Sequence, residues 1–444
     1  MNSPAQPLVS RQSRSLYGTV TPPGDKSISH RAVMLGGIAE GVTTVKGLLE
    51  GEDVFRTVEA LRATGAAIEK QDGVWRIECT GLDHMKEPTR VLDMGNSGTS
   101  TRLLMGLLGG RPFTSSFTGD SSLCKRPMNR VIEPLELMGM RFKYEAGGRL
   151  PLTVTGTGKL VPIAYRLPVA SAQVKSAILL AGLSANGVTT LIESIPSRDH
   201  TERMLKHFGA DITIKTSPDF PEHISIKGPA SLKGQDITVP SDISSAAFLI
   251  VAATLRPGSS LTLHNVGVNP RRDGLLRTLK EMGADIKLTN PGISCGEPVA
   301  DLVVQSAGLK GVTVPADRAP SMIDEYPILA MAAACAEGTT RMCGLGELRV
   351  KESDRLTLVA EGLKACGAHV EIVGDDLIVY GAGQPPKGGA PIQTAMDHRI
   401  AMSFLVLGMA TAEPVGIDDG RMIATSFPGF VDMMNGVGAK IEPQ

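Results

Sequence analysis

Arg203-Met204-Leu205-Lys206-His207-Phe208-Gly209-Ala210-Asp211-Ile212-Thr213-Ile214-Lys215 is the stretch that decides the fold. Its first half reads as an amphipathic helix. Gly209 fits the position just past a helix end, where φ is positive. Ala210 to Ile214 then alternates polar and apolar with a strand's period of two. The same pattern occurs at 57–70 around Gly65, 131–144 around Gly139, 275–288 around Gly283, 359–373 around Gly367 and 430–442 around Gly438. Upstream of each copy lies a second, more apolar helix, a Gly-containing turn and a strand, as at 177–182 then 188–192, 245–255 then 259–264, and 328–336 then 339–343. The repeating unit therefore holds two helices and several strands, a β-α-β-α-β-β type. At roughly seventy residues it is too long for a solenoid repeat. Six such units fit an α/β protein of two domains with three units each, helices inside and sheets outside.

The chain's 444 residues exceed what one core usually holds. The sequence predicts one domain over 24–240 and a second made of 1–23 and 241–444. A short strand over 16–21 has no unit of its own and joins the second domain. Residues 1–15 read as a frayed bacterial N-terminus. The two chain crossings that result would serve as a hinge.

A formal charge of −1 and 20% charged residues argue against a general nucleic-acid or membrane surface. No apolar run approaches the ~18 residues needed to span a bilayer. Six cysteines without a CxxC or a Cys/His ligand spacing point to reduced thiols in the cytoplasm and to no metal site. An anion site, if present, must be a local concentration of cations.

The apolar helices supply one. They begin at Lys26-Ser27, Asn96-Ser97-Gly98-Thr99, Ser171-Ala172-Gln173, Ser241-Asp242, Asp324-Glu325 and Asp397-His398-Arg399. Helix N-termini offer free N–H groups and a positive dipole end. Ser27 and Ser29 suit an N-cap, and Lys26 and Arg31 add cations. Further basic residues stand before the outer helices: Lys125-Arg126, Arg198, Arg271-Arg272, Lys351 and Arg355. Three-fold arrangement of the units would gather these on one face per domain and make a positive cleft between the two faces. Two acids stand out in that field as proton-transfer candidates, Asp324 and Glu352. Glu352 and Asp354 also read as charge compensation at a helix start, and Asp397 as a cap and an orienter of Arg399.

Gly24-Asp25-Lys26-Ser27-Ile28-Ser29-His30-Arg31, Gly95-Asn96-Ser97-Gly98-Thr99, Lys125-Arg126-Pro127-Met128, Arg349-Val350-Lys351-Glu352-Ser353-Asp354-Arg355-Leu356 and Asp397-His398-Arg399-Ile400-Ala401-Met402 resemble the 5-enolpyruvylshikimate-3-phosphate synthase family. The resemblance spans 16–438. Ser171-Ala172-Gln173-Val174-Lys175-Ser176, Arg198-Asp199-His200-Thr201-Glu202 and Ile323-Asp324-Glu325-Tyr326-Pro327 are similar to its second bacterial class.

The resemblance implies an inside-out α/β barrel of two domains closing on substrate. It also implies transfer of an enolpyruvyl group from phosphoenolpyruvate to the 5-hydroxyl of shikimate 3-phosphate, with no cofactor. By the same resemblance, Lys26, Ser27, Arg31, Ser171, Ala172, Gln173, Arg198, Asp324 and Lys351 match shikimate-3-phosphate contacts. Lys26, Asn96, Gly98, Arg126, Gln173, Arg355 and Arg399 match phosphoenolpyruvate contacts. Asp324 is expected as base for the 5-hydroxyl, and Lys26 with Glu352 as the acid/base pair at the methylene and the leaving phosphate. Closure would carry Lys26 towards the groups of the other domain.

One departure is Thr425, where many first-class members carry Lys, so one cation near the phosphate is missing. Glyphosate competes with phosphoenolpyruvate in this family, and tolerant second-class members carry Ala at the Gly98 position. Gly98 therefore predicts sensitivity. A monomer in the cytoplasm is expected. The related UDP-N-acetylglucosamine enolpyruvyl transferases carry a Cys five residues before the Arg-Pro pair, where this chain has Ser121; Cys124 is at the wrong spacing. The RNA 3′-phosphate cyclases share the repeats but need ATP, for which no motif is present. A non-catalytic repeat scaffold would not need the charged positions that are kept here.

Overall fold

The computed structural model describes residues 4–217 and 220–444. The described residues form six four-stranded sheets, each with its strands in the same relative order. In the repeat that contains Gly209, Ala164–Arg166 runs parallel to Gly187–Glu193. Gly187–Glu193 pairs antiparallel with Phe220–Gly228, with Leu191 opposite Ile224, and Phe220–Gly228 pairs antiparallel with Ile212–Ser217. The parallel pair needs a crossover, and the Ala172–Gly182 helix makes it. The His200–His207 helix then leads to the outer hairpin. Gly209 and its five counterparts all have φ between 88° and 112°, a region closed to most side chains. Those six glycines end the outer helices and set the direction of the strands that follow.

The chain divides into two compact units, Lys26–Val239 with Ile293–Glu297, and Met1–Asp25 with Pro240–Gly292 and Pro298–Gln444. In the first, the helices Lys26–Gly36, Gly98–Gly109 and Ala172–Gly182 are buried along nearly their whole length. The last two approach backbone to backbone. A Cβ on Gly106 would stand 2.1 Å from the Ala177 carbonyl oxygen, so only glycine fits there. In the second unit the inner helices are Ile243–Leu255, Tyr326–Cys335 and His398–Gly408. Residues 243–254 are all buried, as expected of a helix apolar all round.

Three sheets borrow a strand from elsewhere in the sequence. Asp236–Thr238 lies parallel to Glu40–Lys46 and completes the first sheet of the Lys26–Val239 unit. Tyr17–Val20 lies parallel to Ser260–Gly267, so the orphan N-terminal strand does complete a repeat. Leu8–Ser10 pairs antiparallel with both Val415–Ile417 and Ile441–Pro443. The expectation of a frayed terminus over 1–15 is thereby corrected for the described part; residues 1–3 lie outside the described residues. A three-residue strand held from both sides by partners some four hundred positions away leaves no local signal. The hairpin Asp285–Ser294 and Glu297–Gln305 also departs from the expected division, because its tip, Ile293–Glu297, packs with the Lys26–Val239 unit. His200 Nδ1 lies 2.8 Å from Glu297 Oε1 there, and Arg203 donates to the Gly296 carbonyl at 3.2 Å.

Candidate active-site residues

In the Lys26–Val239 unit, Lys26 opens its helix and its Nζ lies 2.5 Å from Asp53 Oδ2. Ser29 is not a cap. It is fully buried inside the helix, and its hydroxyl accepts from the Leu49 N–H at 2.9 Å. His30 is buried too and hydrogen-bonds Thr57 at 2.8 Å, which in turn meets Ser100 at 2.6 Å. Arg31 is almost wholly enclosed. Its Nη1 donates to the Ser27 carbonyl at 2.8 Å, its Nε to Thr201 Oγ1 at 2.7 Å and its Nη2 to Ser176 Oγ at 2.8 Å. A guanidinium held at all three nitrogens presents a fixed charge.

Ser171 caps the Ala172–Gly182 helix by accepting from the Val174 N–H, and Ser97 caps Gly98–Gly109 by accepting from Ser100. Gln173 bridges the two helix starts. Its Nε2 donates to Thr99 Oγ1 at 3.0 Å, and its Oε1 accepts from Arg102 Nη1 at 2.7 Å. Arg126 Nη2 donates to Asn96 Oδ1 at 2.6 Å, and Asn96 Nδ2 donates to Asp120 at 2.7 Å. Gly98 sits against both arginines, since a Cβ there would stand 3.0 Å from Arg102 Nη1 and 3.3 Å from Arg126 Nη1. Arg198 is half-buried just before the His200–His207 helix. Lys26, Ser27, Arg31, Asn96, Gly98, Arg126, Ser171, Ala172, Gln173 and Arg198 thus all lie at or beside helix starts of this unit.

Asp324, Lys351, Glu352, Arg355 and Arg399 lie in the other unit. Arg355, 1% exposed at its side chain, gathers three carboxylates. Its Nη1 lies 3.2 Å from Asp324 Oδ1, its Nη2 2.5 Å from Glu352 Oε2 and its Nε 2.8 Å from Asp397 Oδ2. Lys351 Nζ stands 3.5 Å from the same Asp324 oxygen. Arg399 Nη1 donates to the Asp324 backbone carbonyl at 3.1 Å. Burial works against the Arg355 charge, but Asp397, Glu352 and Asp324 outweigh it and hold the guanidinium protonated. Burial likewise opposes the Asp397 charge, and Arg355 overrides it, so that carboxyl sits below its usual range.

Two expectations change here. Asp397 does cap its helix, accepting from the Arg399 N–H at 2.9 Å, but its carboxylate grips the Arg355 guanidinium and not that of Arg399. Arg272 is not an open cation. It is 3% exposed, donates to Ser244 Oγ at 2.7 Å and lies 3.5 Å from Glu325 and 3.6 Å from Asp242. Asp354 caps the Arg355–Ala365 helix, as one reading had it. Thr425 is buried with its hydroxyl donated to the Met422 carbonyl at 2.7 Å, so it supplies no charge.

Sequence reasoning missed Asp53 and Arg102. Asp53 follows Glu52 in the first turn of Glu52–Ala63, where acids usually offset the helix dipole. Arg102 stands four residues after Gly98 and so on the same helix face, a spacing that could have found it.

Helix starts that fix arginines in one unit, and a guanidinium that gathers carboxylates in the other, each suit chemistry on small polyanions. The fold agrees with the enolpyruvyl transferase NikO from Streptomyces tendae, at a TM-score of 0.77 and 20% identity over 99% of each chain, a likeness of fold alone. The family model described as EPSP synthase (3-phosphoshikimate 1-carboxyvinyltransferase) matches residues 10–434. A 3-phosphoshikimate 1-carboxyvinyltransferase of Paramagnetospirillum magneticum is 60% identical over 98% of both chains. One of Rhodospirillum rubrum is 57% identical over 99% of this chain and 98% of its own. The 2.37 Å structure of EPSP synthase from Acinetobacter baumannii superposes with a TM-score of 0.88 at 46% identity, covering 99% of this chain and all of that one. The chain belongs to the EPSP synthase family.

Proposed function

We propose that the chain transfers the enolpyruvyl group of phosphoenolpyruvate to the 5-hydroxyl of shikimate 3-phosphate and releases phosphate. The observation that carries the reading is Asp324 held between Lys351 and Arg355, with Glu352 on the same guanidinium. Two acids kept among cations are suited to moving protons next to bound anions. Membership of the family supports the substrate pair.

Ser27, Arg31, Ser171, Ala172, Gln173 and Arg198 hold shikimate 3-phosphate, with Asp324 and Lys351 at its 5-hydroxyl. Asn96, Gly98, Arg126, Gln173, Arg355 and Arg399 hold phosphoenolpyruvate, and Lys26 serves both. Asp324 takes the hydroxyl proton as the oxygen attacks C2. C3 takes a proton from the pair formed by Lys26 and Glu352, giving a tetrahedral ketal. The same pair then withdraws a methyl proton and protonates the departing phosphate as the C2–O bond breaks, and the proton taken by Asp324 is released to restore the pair for the next turnover. Both sets of residues are assigned to the same substrate pair. Holding together two anions that repel each other in water accounts for most of the rate gain.

Glyphosate competes for the phosphoenolpyruvate residues around Gly98. The protein acts as a monomer in the cytoplasm, a setting suited to its six cysteines, none of which forms a disulfide. No helix among the described residues is long and apolar enough to cross a membrane. A UDP-N-acetylglucosamine acceptor is disfavoured by Ser121.

The mechanism is tested by running the reaction in D2O and reading the product by mass spectrometry. Addition–elimination places deuterium in the enolpyruvyl methylene. Product free of deuterium after many turnovers would contradict it.

A further inference from the structure

Lys175 has no part in the reaction above, yet its side chain is fully enclosed on the Ala172–Gly182 helix. Its Nζ lies 2.8 Å from Glu193 Oε2, 2.7 Å from Glu202 Oε1 and 3.3 Å from the Ser197 carbonyl oxygen. Both carboxylates are as completely buried as the lysine. Burial pushes the Glu202 carboxyl above its usual range even against the pull of Lys175. Apolar side chains of the same volume would usually be no less stable than such a cluster. Stability therefore does not explain it.

What the cluster holds does. Glu193 accepts from the Ser197 N–H at 3.3 Å and from its hydroxyl at 2.5 Å, while Lys175 takes the Ser197 carbonyl. Ser197 is thus gripped at its N–H, O–H and C=O, one residue before Arg198. Ser176 and Thr201, the chain neighbours of Lys175 and Glu202, hydrogen-bond each other at 2.6 Å and accept from Arg31 at 2.8 and 2.7 Å. Lys175 and Glu202 are each one position away from a residue that holds Arg31, and Glu193 grips Ser197, the residue that leads into Arg198.

We propose that Lys175, Glu193 and Glu202 are positioning residues that fix Arg31 and Arg198 to receive the phosphorylated acceptor. None of the three touches substrate. The proposal rests on the assignment of shikimate 3-phosphate to those arginines.

The test titrates shikimate 3-phosphate into the full-length protein by calorimetry, alongside steady-state kinetics. The triple variant Lys175→Met, Glu193→Leu, Glu202→Leu removes all three charges together and keeps the interior filled. Its acceptor Kd should rise about tenfold or more while the KM for phosphoenolpyruvate changes less than about twofold. Its melting midpoint should match or exceed that of the parent. Glu202→Gln, which keeps an oxygen for Lys175, should retain the parent's Kd. Should the triple variant fail to fold, Ser197→Ala removes a single grip and should raise the acceptor Kd severalfold, with the protein still folded at the assay temperature and its midpoint lowered only as the loss of one buried hydrogen bond requires. An unchanged Kd in the folded triple variant or in Ser197→Ala overturns the proposal, as does an equal rise in both substrate constants. Arg31→Ala and Arg198→Ala separate the two levels. If they abolish acceptor binding and the cluster variants do not, only the positioning role fails; if they leave it intact, the acceptor assignment fails as well.

Discussion

Arg355 Nη1 lies 3.2 Å from Asp324 Oδ1, while Nε of the same guanidinium holds Asp397 at 2.8 Å. The arginine is thus anchored on a helix-capping carboxylate and offers its remaining edge to Asp324 and Glu352.

That geometry separates two substitutions. Asp324→Asn keeps the shape and removes the base, so kcat should fall about 10²- to 10⁴-fold. The KM values and the melting midpoint should barely move. Arg355→Ala instead strands the buried Asp397 carboxylate and should destabilise the fold by about 3–5 kcal/mol. Thermal melts beside initial rates distinguish the two; an Asp324→Asn variant that melts early but turns over normally would contradict the assignment.

Gly98→Ala places a methyl 3.0 Å from Arg102 Nη1 and 3.3 Å from Arg126 Nη1. Both neighbours are ends of flexible side chains and can yield by a few tenths of an ångström. The KM for phosphoenolpyruvate should rise by less than about tenfold, while the inhibition constant of glyphosate, the longer ligand, rises about a hundredfold or more. Inhibition of both forms to the same extent would remove Gly98 as the determinant.

Asp242 predicts a pH dependence. Its carboxyl is pushed up to about 6, first by burial and then by the Asp25 carboxylate, against Arg272 and Arg399. A folded-state value above the ordinary 3.8 means that folding takes up a proton between those two pH values. The stability it contributes is complete below about pH 4 and lost as pH rises through about 6. Asp242→Asn should therefore be more stable than the parent at neutral pH, by on the order of 2–3 kcal/mol, and no more stable at about pH 4. Melting midpoints across that range check the sign; an advantage at low pH only would refute it.

The repeats were legible because each carries its own punctuation. Gly209 and its five counterparts mark where helix turns to strand, and all six take the positive φ that the sequence demanded. The helix starts were legible for the same reason, since Ser97, Ser171, Asp242 and Asp397 cap helices through their own side chains. What escaped depends on distant partners. Leu8–Ser10 becomes a strand only through residues beyond 414. Arg272 and Arg399 look alike in the sequence, yet packing surrounds the first with Ser244, Glu325 and Asp242. The Asp53 partner of Lys26 and the acids around Lys175 likewise emerge only from the tertiary fold.

The central claim, that this chain joins phosphoenolpyruvate to a phosphorylated shikimate, is tested most directly by phosphate release in the presence of one acceptor at a time. Phosphate should appear when shikimate 3-phosphate is supplied, mole for mole with acceptor consumed, and not with UDP-N-acetylglucosamine or with no acceptor. Release driven by UDP-N-acetylglucosamine, or none with shikimate 3-phosphate, would contradict it.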